Sequence, residues 1–168
     1  MNINFFLRYI SILFVGLLAG NAFAFVLGVG PALEMLSVGT YVEFHQAMMS
    51  FLGARAPILY AGSLMALSLS LVTMRKQWRT LEYVMVLFAL ICVLDELVMS
   101  VNGNLPLTRS IQSWQINQPP NNWAEVRSQW MYLMYWRCAL LVSAFVLLLS
   151  ASCFKDKSLS SASGVVVA

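Results

Sequence analysis

The sequence predicts an all-α protein, a four-transmembrane-helix bundle with a short amphipathic helix in the first outer loop and a long ordered second outer loop. Three observations carry this expectation. Hydrophobic residues make up 60% of the chain and charged residues 10%, against about 25% charged in a soluble domain. Four apolar runs, at about 5–29, 55–74, 80–101 and 131–153, match the roughly 20 residues that a membrane helix needs. Basic residues cluster beside these runs in a pattern that assigns the sides of a membrane.

Arg8 opens the first run, Arg75, Lys76 and Arg79 fill the turn between the second and third, and Lys155 and Lys157 follow the fourth. Four spans place all three groups on one side, which the positive-inside rule assigns to the cytoplasm. Both termini then lie inside, in an integral protein of a bacterial inner (plasma) membrane. Residues 1–154 form the membrane domain, and residues 155–168 read as a disordered cytoplasmic tail. In the first run, Ala22-Phe23-Ala24 resembles a signal-cleavage site. The apolar stretch continues past it, however, so an uncleaved anchor is expected. Gly16 and Gly20 form a GxxxG pattern that allows close helix approach, here within the bundle or in a homo-oligomer.

The first outer segment, about 30–54, contains Tyr41, Phe44, Met48 and Phe51 at helical spacing, which predicts a short helix with that stripe as its packed face. The second outer segment, about 102–130, holds Pro106, Pro119 and Pro120 with Trp114, Trp123 and Trp130. Its length suggests a functional loop, and its tryptophans favour order. Pro106 is expected to stop the third helix. Trp78, Trp130, Trp136, Tyr132 and Tyr135 suit the membrane interface. Cys92, Cys138 and Cys153 lack metal or redox spacing and read as buried small hydrophobes. No internal repeat is countable, and no nucleic-acid signature is present.

The polar residues converge on the outer end. Asp95 and Glu96 interrupt the third run, and Arg137 lies about two turns into the fourth, at the foot of a stripe with Arg127, Trp130 and Met134. Ionisable groups within a membrane are usually paired and face the interior. Two adjacent acids point about 100° apart on a helix, so Arg137 meets one of them. Three uses remain open: an ion pair that closes the bundle, a ligand or catalytic pocket, and an ion path. His45, the single histidine, lies on the same side with Glu34 and Glu43. It is a candidate base, and no ligand spacing supports a metal.

Three stretches resemble one family. "YVEFHQAMMSFLGARAPIL" (41–59), "VNGNLPLTRSIQSW" (101–114) and "NNWAEVRSQWMYLMYWR" (121–137) are similar to segments of the anthrone-oxygenase-like family of small four-helix membrane proteins. The resemblance implies a four-helix bundle with a polar pocket at one end. It also implies, from the fungal members, oxidation of an anthrone by O2 without a recognised cofactor. It carries over onto His45, Gln46, Asn104, Arg109, Trp114, Trp130 and Arg137. Many relatives have a His one turn before the last Arg, where Met134 stands here, so the base falls to His45 or a carboxylate.

The expected site therefore comprises His45, Asp95, Glu96 and Arg137 as catalytic groups. Gln46, Asn102, Asn104, Arg109, Trp114, Trp130 and Met134 would hold a substrate between the outer ends of spans three and four. The expected activity is a monooxygenase or related oxidation of a hydrophobic aromatic molecule, with no cofactor. Membrane lipids and a hydrophobic small molecule are the expected partners. The alternatives are a binding or transport module for a lipophilic molecule, and a structural partner subunit that uses the Gly16–Gly20 face.

Overall fold

The structure, a computed structural model, describes residues 3–163, the side chains of Asn4, Ala54 and residues 154–163 excepted. It is an all-α four-helix bundle with four helical stretches long and apolar enough to cross a membrane, at Phe5–Glu34, Arg55–Thr73, Leu81–Gln112 and Trp123–Cys153. Helix α1 is Ile3–Ala24, α2 Gly30–Glu34, α3 Val38–Thr73, α4 Leu81–Met99, α5 Leu105–Gln112 and α6 Trp123–Ser163. At about 1.5 Å per residue, α1 alone is roughly 33 Å long, enough for a hydrocarbon core of about 30 Å.

α1 packs on α3 and α6, and α4 packs on α6 and α3. The helices close a ring in the order α1–α3–α4–α6, which leaves α1/α4 and α3/α6 as diagonals. Arg8, Arg75, Lys76 and Arg79 gather at one end, the basic end; α2 and α5 lie at the other, the loop end. Ser37 and Thr80 cap α3 and α4, their hydroxyls accepting from the backbone N–H of Thr40 and Tyr83. Arg8 pairs with Glu82 at the basic end, tying α1 to α4 across a diagonal.

The two hairpins share a device absent from the sequence reading. α1 runs into a π-helical turn, Phe25–Val29, and then into α2, which carries Pro31; α4 runs into a π-helical turn, Ser100–Asn104, and then into α5, which carries Pro106. Each turn closes on an i→i+5 bond, from Gly30 N–H to the Phe25 carbonyl and from Leu105 N–H to the Ser100 carbonyl. Proline has no N–H and crowds the carbonyl four residues back. One extra residue in the turn absorbs both defects. Pro106 therefore does not stop the third helix, contrary to expectation. The shared pattern Val-x-Gly-x-x-Pro, at Val26, Gly28, Pro31 and at Val101, Gly103, Pro106, matches the two-fold arrangement of the ring. Three coincidences of common residues were too few to count as a repeat in sequence alone.

Other expectations change. The separate amphipathic helix is the first part of α3, continuous through Pro57. Its buried face is Tyr41, Val42 and His45, while Phe44 and Phe51 are exposed. The expected stripe is therefore split, with Tyr41 and Met48 packed inward and Phe44 and Phe51 off the buried face. α6 begins at Trp123, ahead of the expected start at 131, and continues to Ser163, past the expected boundary at 154. No Gly or Pro interrupts it before Gly164. Residues 164–168 of the expected tail lie outside the described residues. Trp130 is buried in place of sitting at the interface, and Cys153 is exposed.

Two apolar clusters fill the bundle. One, centred on Val15, Leu67, Ala89, Val93, Leu141 and Leu148, spans its middle and basic end; the other, around Phe25, Leu33, Tyr41, Ile111 and Trp130, fills the loop end. Aromatic rings seat against glycines. Phe14 of α1 lies against Gly62 of α3, where a Cβ would meet the ring at 2.6 Å, and Phe145 of α6 lies against Gly16 at 2.9 Å. A Cβ on Gly20 meets nothing within 4 Å. Gly16 thus packs within the bundle, and Gly20 does not share that contact. Gly62→Ala should lower stability by roughly 1–3 kcal/mol through overpacking, whereas Gly20→Ala should leave it unchanged or raise it through helix propensity. Thermal unfolding of both variants in mild detergent checks this.

Candidate functional site at the loop end

The site is built on α3, α4, α5 and α6. Glu96 of α4 is 0% exposed, and its Oε1 accepts three bonds. Arg137 Nε donates at 2.5 Å, Tyr60 OH at 2.9 Å and Ser100 Oγ at 3.2 Å. Arg137 Nη2 also donates to Tyr60 OH at 3.0 Å, and Nη1 donates to Met134 Sδ at 3.2 Å. Glu96, Arg137 and Tyr60 therefore join α4, α6 and α3 in one closed network. Glu96 Oε2 is buried without a hydrogen-bond partner.

Helical spacing lets only one acid enter, and the structure shows that it is Glu96. Glu96 and Ser100, four apart, share the inward face of α4. Asp95 points about 100° away and is exposed, so its expected place in the catalytic group is corrected. Asn102 is exposed too, and its Nδ2 donates to the Val98 carbonyl of its own helix at 2.8 Å. Arg109 is exposed. All three are exposed, Asp95 on α4, Asn102 on the π-helical turn and Arg109 on α5, and none joins the Glu96 network.

Above the network, toward the loop end, lies a second group. His45 is 0% exposed, 5.0 Å from the Trp130 ring edge-on and 5.8 Å from the Tyr41 ring. Phe25 closes on the same Trp130 at 5.3 Å. Trp130 Nε1 donates to Thr108 Oγ1 at 3.0 Å, and Asn104 Nδ2 donates to the Trp130 carbonyl at 3.4 Å. Both ring nitrogens of His45, the Tyr41 hydroxyl and Asn104 Oδ1 are buried with no hydrogen-bond partner. Buried polar atoms are nearly always paired, and an unpaired one costs about 1–3 kcal/mol. Several in one region mark a place where a water or a polar group of another molecule would be bound favourably.

Burial holds His45 down to about 4, well below the usual imidazole value, so the ring is neutral at pH 7. Burial pushes the Tyr41 phenol up to about 12, with only partial opposition from the Arg127 guanidinium. A neutral His45 can accept a proton on one nitrogen and hold one on the other.

Of the other expected substrate-binding residues, Gln46 is a staple. Its Nε2 faces the carbonyls of Ile111, Gln112 and Trp114 at 3.3, 3.3 and 3.0 Å, which ties α3 to the end of α5. Trp114 is half-buried, and its carbonyl is one of those acceptors. Met134 is buried and accepts from Arg137. The structure thus brings together His45, Asn104, Trp130, Met134, Glu96 and Arg137. These residues lie across the α3/α6 diagonal, whereas the expected pocket lay between the outer ends of spans three and four, with His45 and Gln46 added from the first outer segment. Tyr41, Tyr60 and Thr108 were missed. Thr108 follows Asn104 by one helical turn, a legible signal; Tyr60 stands as a lone phenol between Leu59 and Ala61. Among the described residues no three His, Cys, Asp or Glu side chains converge as metal ligands.

No family model, curated protein or solved structure matches this chain. The likeness to the anthrone-oxygenase-like family accordingly rests on the three sequence stretches.

Because the folded protein holds His45 near 4 against about 6.5 unfolded, the unfolded state binds the extra proton between those values. Stability from the neutral ring is therefore complete above about pH 6.5 and falls as pH drops toward 4, by a total on the order of 3 kcal/mol. A His45→Phe variant should lack this part of the pH dependence in thermal unfolding from pH 7 to 4.

Proposed function

We propose that the chain is an integral protein of a bacterial inner membrane with both termini in the cytoplasm, so that the loop end faces outward. The cluster of Arg8, Arg75, Lys76 and Arg79 at one end supports this through the positive-inside rule. At the loop end we place a site for a hydrophobic aromatic molecule, with His45 as base in an oxidation by O2 that needs no cofactor. The observation that carries this reading is His45 itself, a neutral, fully buried imidazole among aromatic rings with both nitrogens unpartnered.

The chemistry suits an activated methylene between aromatic rings, as in an anthrone. His45 takes one C–H proton, and the stabilised carbanion transfers its electrons to O2. Loss of water then leaves a carbonyl, so that CH2 and O2 become C=O and H2O. Trp130 and Phe25, packed edge-on at 5.3 Å, would supply the aromatic surroundings of such a substrate. Asn104 Oδ1 and the Tyr41 hydroxyl offer an acceptor and a donor for the substrate's oxygen functions. In this reading Glu96, Arg137 and Tyr60 form the floor of the site and hold α3 and α6 at the right separation.

The test is O2 uptake by the purified protein supplied with an anthrone. Uptake that His45→Ala reduces about 100-fold or more, with binding seen by Trp quenching retained, is the expected result. Uptake unaffected in His45→Ala would remove the base role. Binding without any uptake would move the protein to the class of non-enzymatic modules for lipophilic molecules.

A further inference from the structure

A groove separate from the His45 site runs down the loop-end half of α6. It has a volume of about 550 Å³ and is lined on one side by Glu34, at the end of α2, and on the other by Arg127, Ser128, Met131, Tyr132 and Tyr135 of α6. These α6 residues recur at three- and four-residue spacing, so they form one face of the helix. The face is graded along its length. Arg127 and Ser128 lie near the helix start, and Met131, Tyr132 and Tyr135 follow at increasing depth. Tyr132 and Tyr135 are exposed, as interfacial tyrosines are.

The two charges of the groove do not neutralise each other. Among the described residues, the ion pairs within 4.0 Å are Arg8–Glu82 and Glu96–Arg137. Glu34 and Arg127 face the same space without joining. The Arg127 guanidinium lies over the rings of Trp123 at 4.8 Å and Tyr41 at 5.7 Å. Those contacts hold the cation at the groove and use its faces, while its N–H edges remain suited to an oxyanion. A carboxylate and a fixed guanidinium set apart, above an apolar and phenolic wall, complement a molecule with a phosphate, a nearby ammonium and an apolar tail.

We infer that this groove binds a phosphatidylethanolamine molecule, its phosphate on Arg127 and Ser128, its ammonium on Glu34, and its glycerol and first acyl carbons along Met131, Tyr132 and Tyr135. A primary ammonium donates hydrogen bonds to the Glu34 carboxylate, which a trimethylated choline cannot do. An anionic glycerol headgroup would meet Glu34 with no compensating charge. The two sites touch only where Arg127 lies over the Tyr41 ring, and lipid binding is read without any activity at His45.

Native mass spectrometry of the full chain in mild detergent, titrated with phosphatidylethanolamine, phosphatidylcholine and phosphatidylglycerol of identical acyl chains, tests it. Phosphatidylethanolamine should bind first and survive activation longest. Arg127→Gln should weaken it roughly fivefold, the effect of one basic residue at a lipid surface, and Arg127→Lys should retain most of the binding. Glu34→Gln should abolish the preference for ethanolamine over choline while keeping phosphate-dependent binding. Soluble glycerophosphoethanolamine should compete weakly, since it lacks the acyl contacts. Equal binding of the three lipids, an Arg127→Gln variant that binds as the wild type does, or full competition by the soluble headgroup would overturn the assignment. Thermal unfolding of each variant separates loss of the site from loss of the fold.

Discussion

The rest of the structure depends on one buried carboxylate. Glu96 sits at 0% exposure in the loop-end half of α4 with three donors on a single oxygen. An ionised group in such a place is strongly unfavourable unless it is paired and hydrogen-bonded. Arg137 supplies the charge, Tyr60 bridges the two, and Ser100 adds a third donor from one turn further along α4. Because Tyr60 belongs to α3 and Arg137 to α6, satisfying Glu96 requires those two helices to approach across the bundle diagonal. At the basic end, Arg8 and Glu82 tie the other diagonal, α1 to α4. Lipid exerts no hydrophobic force between helices comparable to that of water, so packing and polar contacts fix their arrangement. The two diagonal ties, with rings seated against Gly16 and Gly62, define which faces meet.

The network also sets the boundary of the loop-end site. Met134, which accepts from Arg137, lies one turn from Trp130, and Trp130 meets His45. A column therefore leads across the α3/α6 diagonal from the bonded Oε1 of Glu96, whose Oε2 is itself unpartnered, to a group of unpartnered polar atoms around His45. The π-helical turn after α4 serves both parts, because it starts at Ser100, a donor to Glu96, and ends at Asn104, a neighbour of Trp130. Pro106 makes that wider turn favourable. The oxygenase reading adds chemistry to this geometry through His45.

The fold class was legible because composition and the four apolar runs admit few other solutions. The inward stripe of Trp130, Met134 and Arg137 was legible too, although Arg127, expected to continue it, lines the groove on the neighbouring face. Helical spacing showed that only one of two adjacent acids could meet Arg137, but not which one. That depends on the azimuth of α4 relative to α3, and periodicity is silent in a run that is apolar on every side. Tyr60 was hidden for the same reason: a phenol inside a greasy span looks like filler until its partner is known. Phe44 and Phe51 misled because the buried face of this part of α3 runs through Tyr41, Val42 and His45, which leaves half of the expected stripe off it. Gln46 and Asn102 spend their amide N–H groups on backbone carbonyls, a use that no spacing announces.

The most direct test of the Glu96 node is a pair of double-mutant cycles read by unfolding in detergent. One combines Glu96→Leu with Arg137→Met, and the other combines Asp95→Leu with Arg137→Met. The structure predicts a coupling of at least about 1 kcal/mol in the first, and additivity within about 0.5 kcal/mol in the second, as for groups without shared partners. Additivity in the Glu96 cycle, or a larger coupling in the Asp95 cycle, would contradict the node and with it the register of α3, α4 and α6.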